Sequence, residues 1–213
     1  MRKVAIVGRA GTHASAPWRD TEWEIWGMPW ISYPRVDRLF EIHDQKSTDL
    51  LPECDGDPSW LPQAQEKYKD IPVYCDPSRM WAFNKAIEYP LDAVCKFLPF
   101  PSLETTISYE IALALMEGVD EIGLWGIHMM GRGEFQWQRP SVTYLIGLAQ
   151  GMGVKVTIPP GSPLMMSGYT AGRYGLTGGM RVASFAAGPS GIEGTLSDKK
   201  KYNPATVRVW DPI

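Results

Sequence analysis

The sequence has little cysteine, and what it has supports neither a disulfide framework nor a zinc site. Its three cysteines, Cys54, Cys75 and Cys95, are an odd number and form no C-x-x-C pair. An excess of positive charge is also lacking: a formal net charge of −3 at pH 7 and a pI near 5.7 provide no general attraction for polyanions. The apolar run after the N-terminal MRK is too short for a signal peptide or a membrane span. We therefore expect a reduced, cytoplasmic protein without a membrane segment, and DNA as a partner only through a local basic patch.

What the sequence does have is apolar and aromatic content. Hydrophobic residues make up 44% of its 213 residues, which is enough for one domain with a substantial core. The nine tryptophans are concentrated toward the N-terminus. Their rings either pack in the core and at its rim or stack on a base or sugar ring.

Short apolar runs alternate with helical patterns along most of the chain. The runs predict strands at 4–7, 24–26, 36–42, 71–74, 121–127 and 154–158. Helical spacing predicts helices at 60–70, from about 102 to Gly118, and at 141–152. Such alternation implies parallel pairing with right-handed crossovers. The predicted fold class is α/β, a three-layer Rossmann-like, mostly parallel sheet.

The C-terminal part of the sequence has a different character. Residues 167–213 are rich in glycine and lack sustained periodicity, apart from a short strand at 206–210. We therefore divide the chain into a domain at 1–166 and an irregular arm at 167–213. The arm is expected to pack against its own domain or against a second copy in a homo-oligomer, because it carries aromatic residues that solvated tails lack.

Ligands of open parallel sheets bind beyond the carboxyl ends of the strands, and all three histidines follow predicted strands. These are His13, His43 and His128. The first of these loops also contains Gly8 and Gly11, whose backbone N–H groups could approach an anion closely. The loop matches neither G-x-G-x-x-G nor a P-loop, and a simple tight turn explains it equally well.

The stretch HMMGRGEFQWQRP, after the strand at 121–127, combines several groups that suit a nucleotide. It offers the imidazole of His128, the carboxylate of Glu134 and the guanidinium groups of Arg132 and Arg139, together with aromatic rings. Glycines would let such a loop close over a charged, ring-bearing ligand. The alternative is a solvated connection. No metal site is predicted, because only two ligands, Glu41 and His43, converge on one face of their strand.

The pairing of VAIVGRAGTHASAPW with TTISYEIALALMEGVDEIGLWGIHMM resembles a superfamily of bacterial sialyltransferases, motility-accessory-factor glycosyltransferases and archaeal hydroxymethylpterin pyrophosphokinase-like proteins. The blocks WEIWGMPW, RVDRLFEIHD and FQWQRPSVTYLIGLAQGMGVKVTIPPGSPL are similar to those of uncharacterised bacteriophage proteins. This chain departs from these relatives at His128, where they usually carry aspartate. The resemblance implies a Rossmann-like domain whose nucleotide is held by two loops, at Gly8, Arg9, Gly11 and Thr12 and at Thr105, Thr106 and Ser108.

These features favour a glycosyltransferase that uses a nucleotide sugar as co-substrate, with no metal and no resident cofactor. His128 or His43 would deprotonate the acceptor, and Arg132 or Arg139 would stabilise the departing phosphate. Glu134 is a further candidate catalytic residue. In a phage protein acting in the host cytoplasm, the acceptor could be a modified base in phage DNA, although the charge does not support duplex binding. The alternatives are a magnesium-dependent, pyrophosphokinase-like phosphotransferase and a non-catalytic phage factor that binds a nucleotide or a protein.

Overall fold

The computed structural model describes residues 1–43, 60–130, 134–165, 181–188 and 191–198. Three of the residues and segments singled out in the sequence, Cys54, Arg132 and the strand predicted at 206–210, lie outside these ranges. For Glu134, Gln136 and residues 181–188 and 191–198, only the backbone is described.

The centre of the fold is a seven-stranded sheet in which every neighbouring pair of strands is parallel. Its strands are β1 (Lys3–Val7), β2 (Trp23–Gly27), β3 (Arg38–Glu41), β4 (Val73–Cys75), β5 (Ala86–Glu88), β6 (Glu121–Trp125) and β7 (Lys155–Thr157). Their order across the sheet is β5-β4-β3-β2-β1-β6-β7. The predicted α/β, Rossmann-like class is therefore confirmed.

Helices and short 3-10 segments connect these strands. The α-helices are α1 (Trp60–Lys67), α2 (Leu91–Phe97), α3 (Thr106–Met116) and α4 (Glu134–Gly151), and the 3-10 helices are Gly11–Ser15 and Pro77–Ala82. The chain runs outward from β1 to β5 and then returns to place β6 on the other side of β1. This reversal between β1 and β6 is the topological switch point of the sheet, because the connections before and after it cover opposite faces.

The core lies on both faces of the sheet. Ile25, Leu39 and Val73 are fully buried on one face, where they belong to a cluster that includes Ala64 and Tyr68 at and just after α1. On the other face lies α3, whose sequence is apolar almost all round and whose residues from Thr106 to Leu115 are nearly all buried. A helix without a polar face needs this degree of burial, as the sequence predicted.

A network of charges joins the end of α3 to the amino edge of the sheet. Glu117, at the C-terminal end of α3, accepts from Arg2 at 2.5 Å and from Arg38 at 2.7 Å. Glu24 accepts from the same two arginines, at 3.0 Å and 2.5 Å. The network fixes the direction of α3, so that its N-terminus points toward the carboxyl edge of the strands.

Several predicted boundaries were wrong. α4 begins at Glu134, not at residue 141, so Glu134 and Arg139 lie on a helix and not on the predicted loop. The short elements β5 and α2 were not predicted. The C-terminal arm, predicted to be irregular apart from one short strand, contains an antiparallel hairpin of β8 (Arg181–Gly188) and β9 (Gly191–Asp198).

The contacts along the chain divide it into two compact units, Met1–Ser162 and Pro163–Ile213. The first unit contains the whole parallel sheet and the second contains the hairpin. Among the helices within the described ranges, none is long and apolar enough to cross a membrane.

Candidate functional site

The crevice between the carboxyl ends of β1 and β6 is the first place to look for a ligand. The two strands pair along their length, from Lys3 opposite Glu121 to Val7 opposite Trp125, and the loops that follow start side by side at Gly8 and Gly126. Open α/β sheets bind ligands beyond the carboxyl ends of their strands at such a switch point. We call this region the β1/β6 crevice.

The loops that follow β1 and β6 are in direct backbone contact at the base of this crevice. Gly8 N donates to Trp125 O at 2.8 Å, and Ala10 N donates to Gly126 O at 2.9 Å. A Cβ atom at position 8 would lie 2.5 Å from Gly126 O, and one at position 126 would lie 2.3 Å from Gly8 O. Gly126 also has a φ of +65°, which favours glycine. Contact between the loops therefore accounts for Gly8 without a phosphate.

Thr12 and His128 meet across the crevice. The Thr12 hydroxyl accepts a hydrogen bond from Gly126 N at 2.8 Å, and its Oγ1 lies 3.3 Å from His128 Nε2. His128 is partly buried, and this burial lowers the pKa of its imidazole below the usual value. At neutral pH the ring is therefore mainly uncharged, the form that can accept a proton from a substrate. Gly11 also lies beside His128, since a Cβ atom at position 11 would be 3.7 Å from His128 Cε1.

His13 brings a second imidazole to the same crevice. Its Nδ1 lies 2.6 Å from Gly8 O, and because a carbonyl only accepts, Nδ1 carries the proton. In the neutral ring Nε2 then holds the lone pair. The ring packs against Trp18 and Tyr33, with centroids 5.0 Å and 5.9 Å away. The sequence placed His13 after the first strand, but the anchoring carbonyl could be found only in the structure.

Two cationic side chains follow the strands of the crevice. Arg139 lies in the second turn of α4, and its Nη1 is 3.2 Å from the Sδ atom of Met130, which follows β6. Partial burial lowers the pKa of Arg139, although a guanidinium group stays protonated in proteins. Arg9 is exposed on the loop after β1. Phe135 and Trp137, on the first turn of α4, are 45% and 77% exposed and offer aromatic surface.

The N-terminus of α3 contains the other predicted nucleotide-binding residues. Thr105 N donates to Ser108 Oγ at 3.1 Å, and the Ser108 hydroxyl donates to Thr105 O at 2.6 Å. Ser108 is fully buried and Thr106 is nearly so. Because the Ser108 hydroxyl is engaged in this cap, the contribution of the segment to a ligand would come from the backbone N–H groups of the first helical turn.

His43 lies at the same edge of the sheet as His128 but not in the same crevice. It follows β3, and its Nδ1 is 2.8 Å from Oε1 of Glu41, whose side chain is only 1% exposed. The convergence of these two side chains agrees with the strand geometry. β3 is separated from β6 by β2 and β1. Three spacings of 4.8 Å amount to roughly 14 Å, so the strands that precede His43 and His128 end at different parts of the edge.

Within the part of the chain that the structure describes, no group of three or more histidine, cysteine, aspartate or glutamate residues could hold a metal ion. Comparison with protein-family models, curated proteins and solved structures finds no match to this chain.

Proposed function

We propose that this protein is a glycosyltransferase that binds a nucleotide sugar in the β1/β6 crevice and uses His128 as its general base. The observation that carries the proposal is the partly buried imidazole of His128, held by Thr12 at the switch point of a parallel sheet. Ligands of such sheets bind there. A neutral imidazole is the side chain best suited to remove a proton near neutral pH.

The reaction follows from these groups. His128 takes the proton of an acceptor hydroxyl, whose oxygen forms a bond to the anomeric carbon. The bond from that carbon to the phosphate oxygen breaks, and the nucleotide leaves with the electron pair. Arg139 and Arg9 balance the charge that develops on the phosphate, and the first turn of α3 adds N–H groups. This scheme needs no metal ion, because guanidinium groups neutralise the leaving group.

The strand order supports His128 over His43 as the proposed base. His128 belongs to the crevice, whereas His43 lies about three strand spacings away, roughly 14 Å. We therefore assign the base to His128, with His13 as a second imidazole beside it. The acceptor is proposed to be a hydroxyl compound, with a hydroxymethylated base of phage DNA as one candidate.

The proposal is tested by binding and turnover in parallel. Thermal unfolding is measured with nucleoside mono- and diphosphates, with nucleotide sugars, and with ATP in the presence and absence of magnesium, because a ligand of the native state raises the midpoint. Release of nucleotide from each sugar donor is then followed with water, and with hydroxymethylated DNA, as acceptor. His128→Asn should keep the thermal shift and lose turnover by about 10²- to 10⁴-fold, whereas His43→Asn, the matched control, should retain both.

Three results would contradict the transferase. A midpoint that responds only to ATP with magnesium would favour the phosphotransferase alternative. No response to any nucleotide would favour a binding protein with another partner. Full turnover in His128→Asn would remove the proposed base.

A further inference from the structure

Arg79 lies at the carboxyl edge of the sheet, well away from the β1/β6 crevice. It belongs to the 3-10 helix Pro77–Ala82, which directly follows β4. Asp76 holds the start of this helix, since its side chain accepts from Ser78 N at 2.8 Å and its carbonyl accepts from Arg79 N at 2.9 Å. This local fold directs Arg79 inward, and the residue is only 2% exposed.

The guanidinium group of Arg79 is buried with one of its hydrogen-bonding edges unused. Neither Nε nor Nη2 has a hydrogen-bond partner among the residues that the structure describes. These two nitrogens form one edge of the guanidinium fork, which can bind both oxygens of a carboxylate or phosphate in parallel. Buried cations are normally paired, because an unpaired one loses its hydration without compensation. Arg38 shows the usual arrangement, with Glu24 and Glu117 as partners.

The described neighbours of Arg79 form no direct ion pair with it. No ion pair joins it to any carboxylate in the described part of the chain, including the buried carboxylate of Glu41 on the neighbouring strand. Burial raises the pKa of the nearby Cys75 thiol to about 11, so this group is uncharged at neutral pH. Trp81 faces the guanidinium group at 5.7 Å, but a ring face carries no net charge. What the guanidinium group of Arg79 lacks is an anionic hydrogen-bond partner.

We propose that Arg79 binds the oxyanion of a small molecule, a carboxylate or a phosphate, through its Nε and Nη2 hydrogens. The site lies at the end of β4, which is separated from β1 by β3 and β2, a distance of roughly 14 Å. It is therefore a second ligand site on the same edge of the sheet. The proposal stands on the burial and the unused fork of Arg79, and it does not require the transferase function.

Thermal unfolding of the full chain tests this site with inorganic phosphate and with acetate, each against chloride at equal ionic strength. We expect one of the two oxyanions to raise the midpoint of the wild-type protein above its value in chloride. The oxyanion that raises the midpoint shows whether the ligand of Arg79 carries a phosphate or a carboxylate group. The increment should disappear in Arg79→Met and persist in Arg19→Met, which removes an exposed charge. In chloride, Arg79→Met should unfold at a higher temperature than wild type, because it removes an unneutralised buried charge.

Two further variants make the outcome decisive. Arg79→Lys keeps the charge but lacks the fork, so most of the increment should be lost. Arg139→Met removes a cation that the β1/β6 crevice would use to bind phosphate, and it should keep the increment in full. This result would separate the Arg79 site from the crevice, and the outcome of this proposal from that of the transferase proposal. Equal increments in wild type and Arg79→Met would overturn the proposal. The absence of any increment in wild type with either oxyanion would overturn it too, since the free edge of the guanidinium group would then bind neither anion.

Discussion

Replacing Glu110 by glutamine tests whether an isolated carboxyl group is buried beneath α3. Glu110 is 0% exposed, and neither of its carboxyl oxygens has a hydrogen-bond partner among the described residues. Burial therefore raises the pKa of Glu110 well above its usual value. In the folded protein the group stays protonated at pH values where the unfolded chain has already released the proton.

The sign of the effect follows from this difference in proton binding. Between the unfolded pKa and the raised folded pKa, the native state binds one proton more than the unfolded state. The free energy of unfolding therefore falls as pH rises through this window, by up to about 1.4 kcal/mol per pH unit. Glutamine does not titrate. Glu110→Gln should thus match wild type at acidic pH and become progressively more stable than wild type toward neutral pH.

Urea denaturation of wild type and Glu110→Gln at a series of values between about pH 5 and pH 8 measures this difference. The other titratable groups are present in both proteins, so their contributions cancel in the difference between the two free energies of unfolding. Glu66→Gln is the matched control, since the Glu66 side chain is 84% exposed. Parallel pH profiles for wild type and Glu110→Gln would refute the reasoning, because they would mean that Glu110 ionises in the folded protein as easily as in the unfolded chain.

Gly8→Ala should destabilise the fold by about 1–3 kcal/mol in urea denaturation, because its Cβ would lie 2.5 Å from Gly126 O. Gly147→Ala, which meets no atom within 4 Å, should be neutral or more stable, and similar losses in both would argue against the loop contact. Thr12→Val should cost about 1–2 kcal/mol, since it leaves Gly126 N without its acceptor, and an unchanged urea midpoint would contradict this. Ile111→Ala should lower the unfolding free energy by about 2–5 kcal/mol, because this side chain is 1% exposed, and a loss below this range would show a core able to collapse.

The sequence predicted the buried part of the fold well. β1, β6 and α3 consist mainly of apolar residues and are largely buried, and such apolar runs can be recognised in the sequence. β5 and α2 were missed because they are short and largely exposed, so their residues carry little apolar periodicity. The start of α4 was misplaced because Pro140 lies inside the helix. Proline removes one helical hydrogen bond, and here the helix accommodates that loss.

The candidate site was predicted only in part. Placing His43 and His128 after strands correctly put both at the carboxyl edge of the sheet, because parallel strands share that edge. Their separation depends on the strand order, which no local pattern contains. The anchoring of His13 by a carbonyl and the unused fork of Arg79 also depend on tertiary contacts. Individual side chains can be proposed from sequence, but which of them cooperate is decided by packing.

The central position of β1 has a consequence for biosynthesis. This strand pairs with β2, which follows it closely in the chain, and with β6, which ends only at Trp125. Until that later strand leaves the ribosome, the apolar segment VAIV has an open side that can recruit other nascent chains. Premature termination before β6 is therefore expected to yield products prone to aggregate.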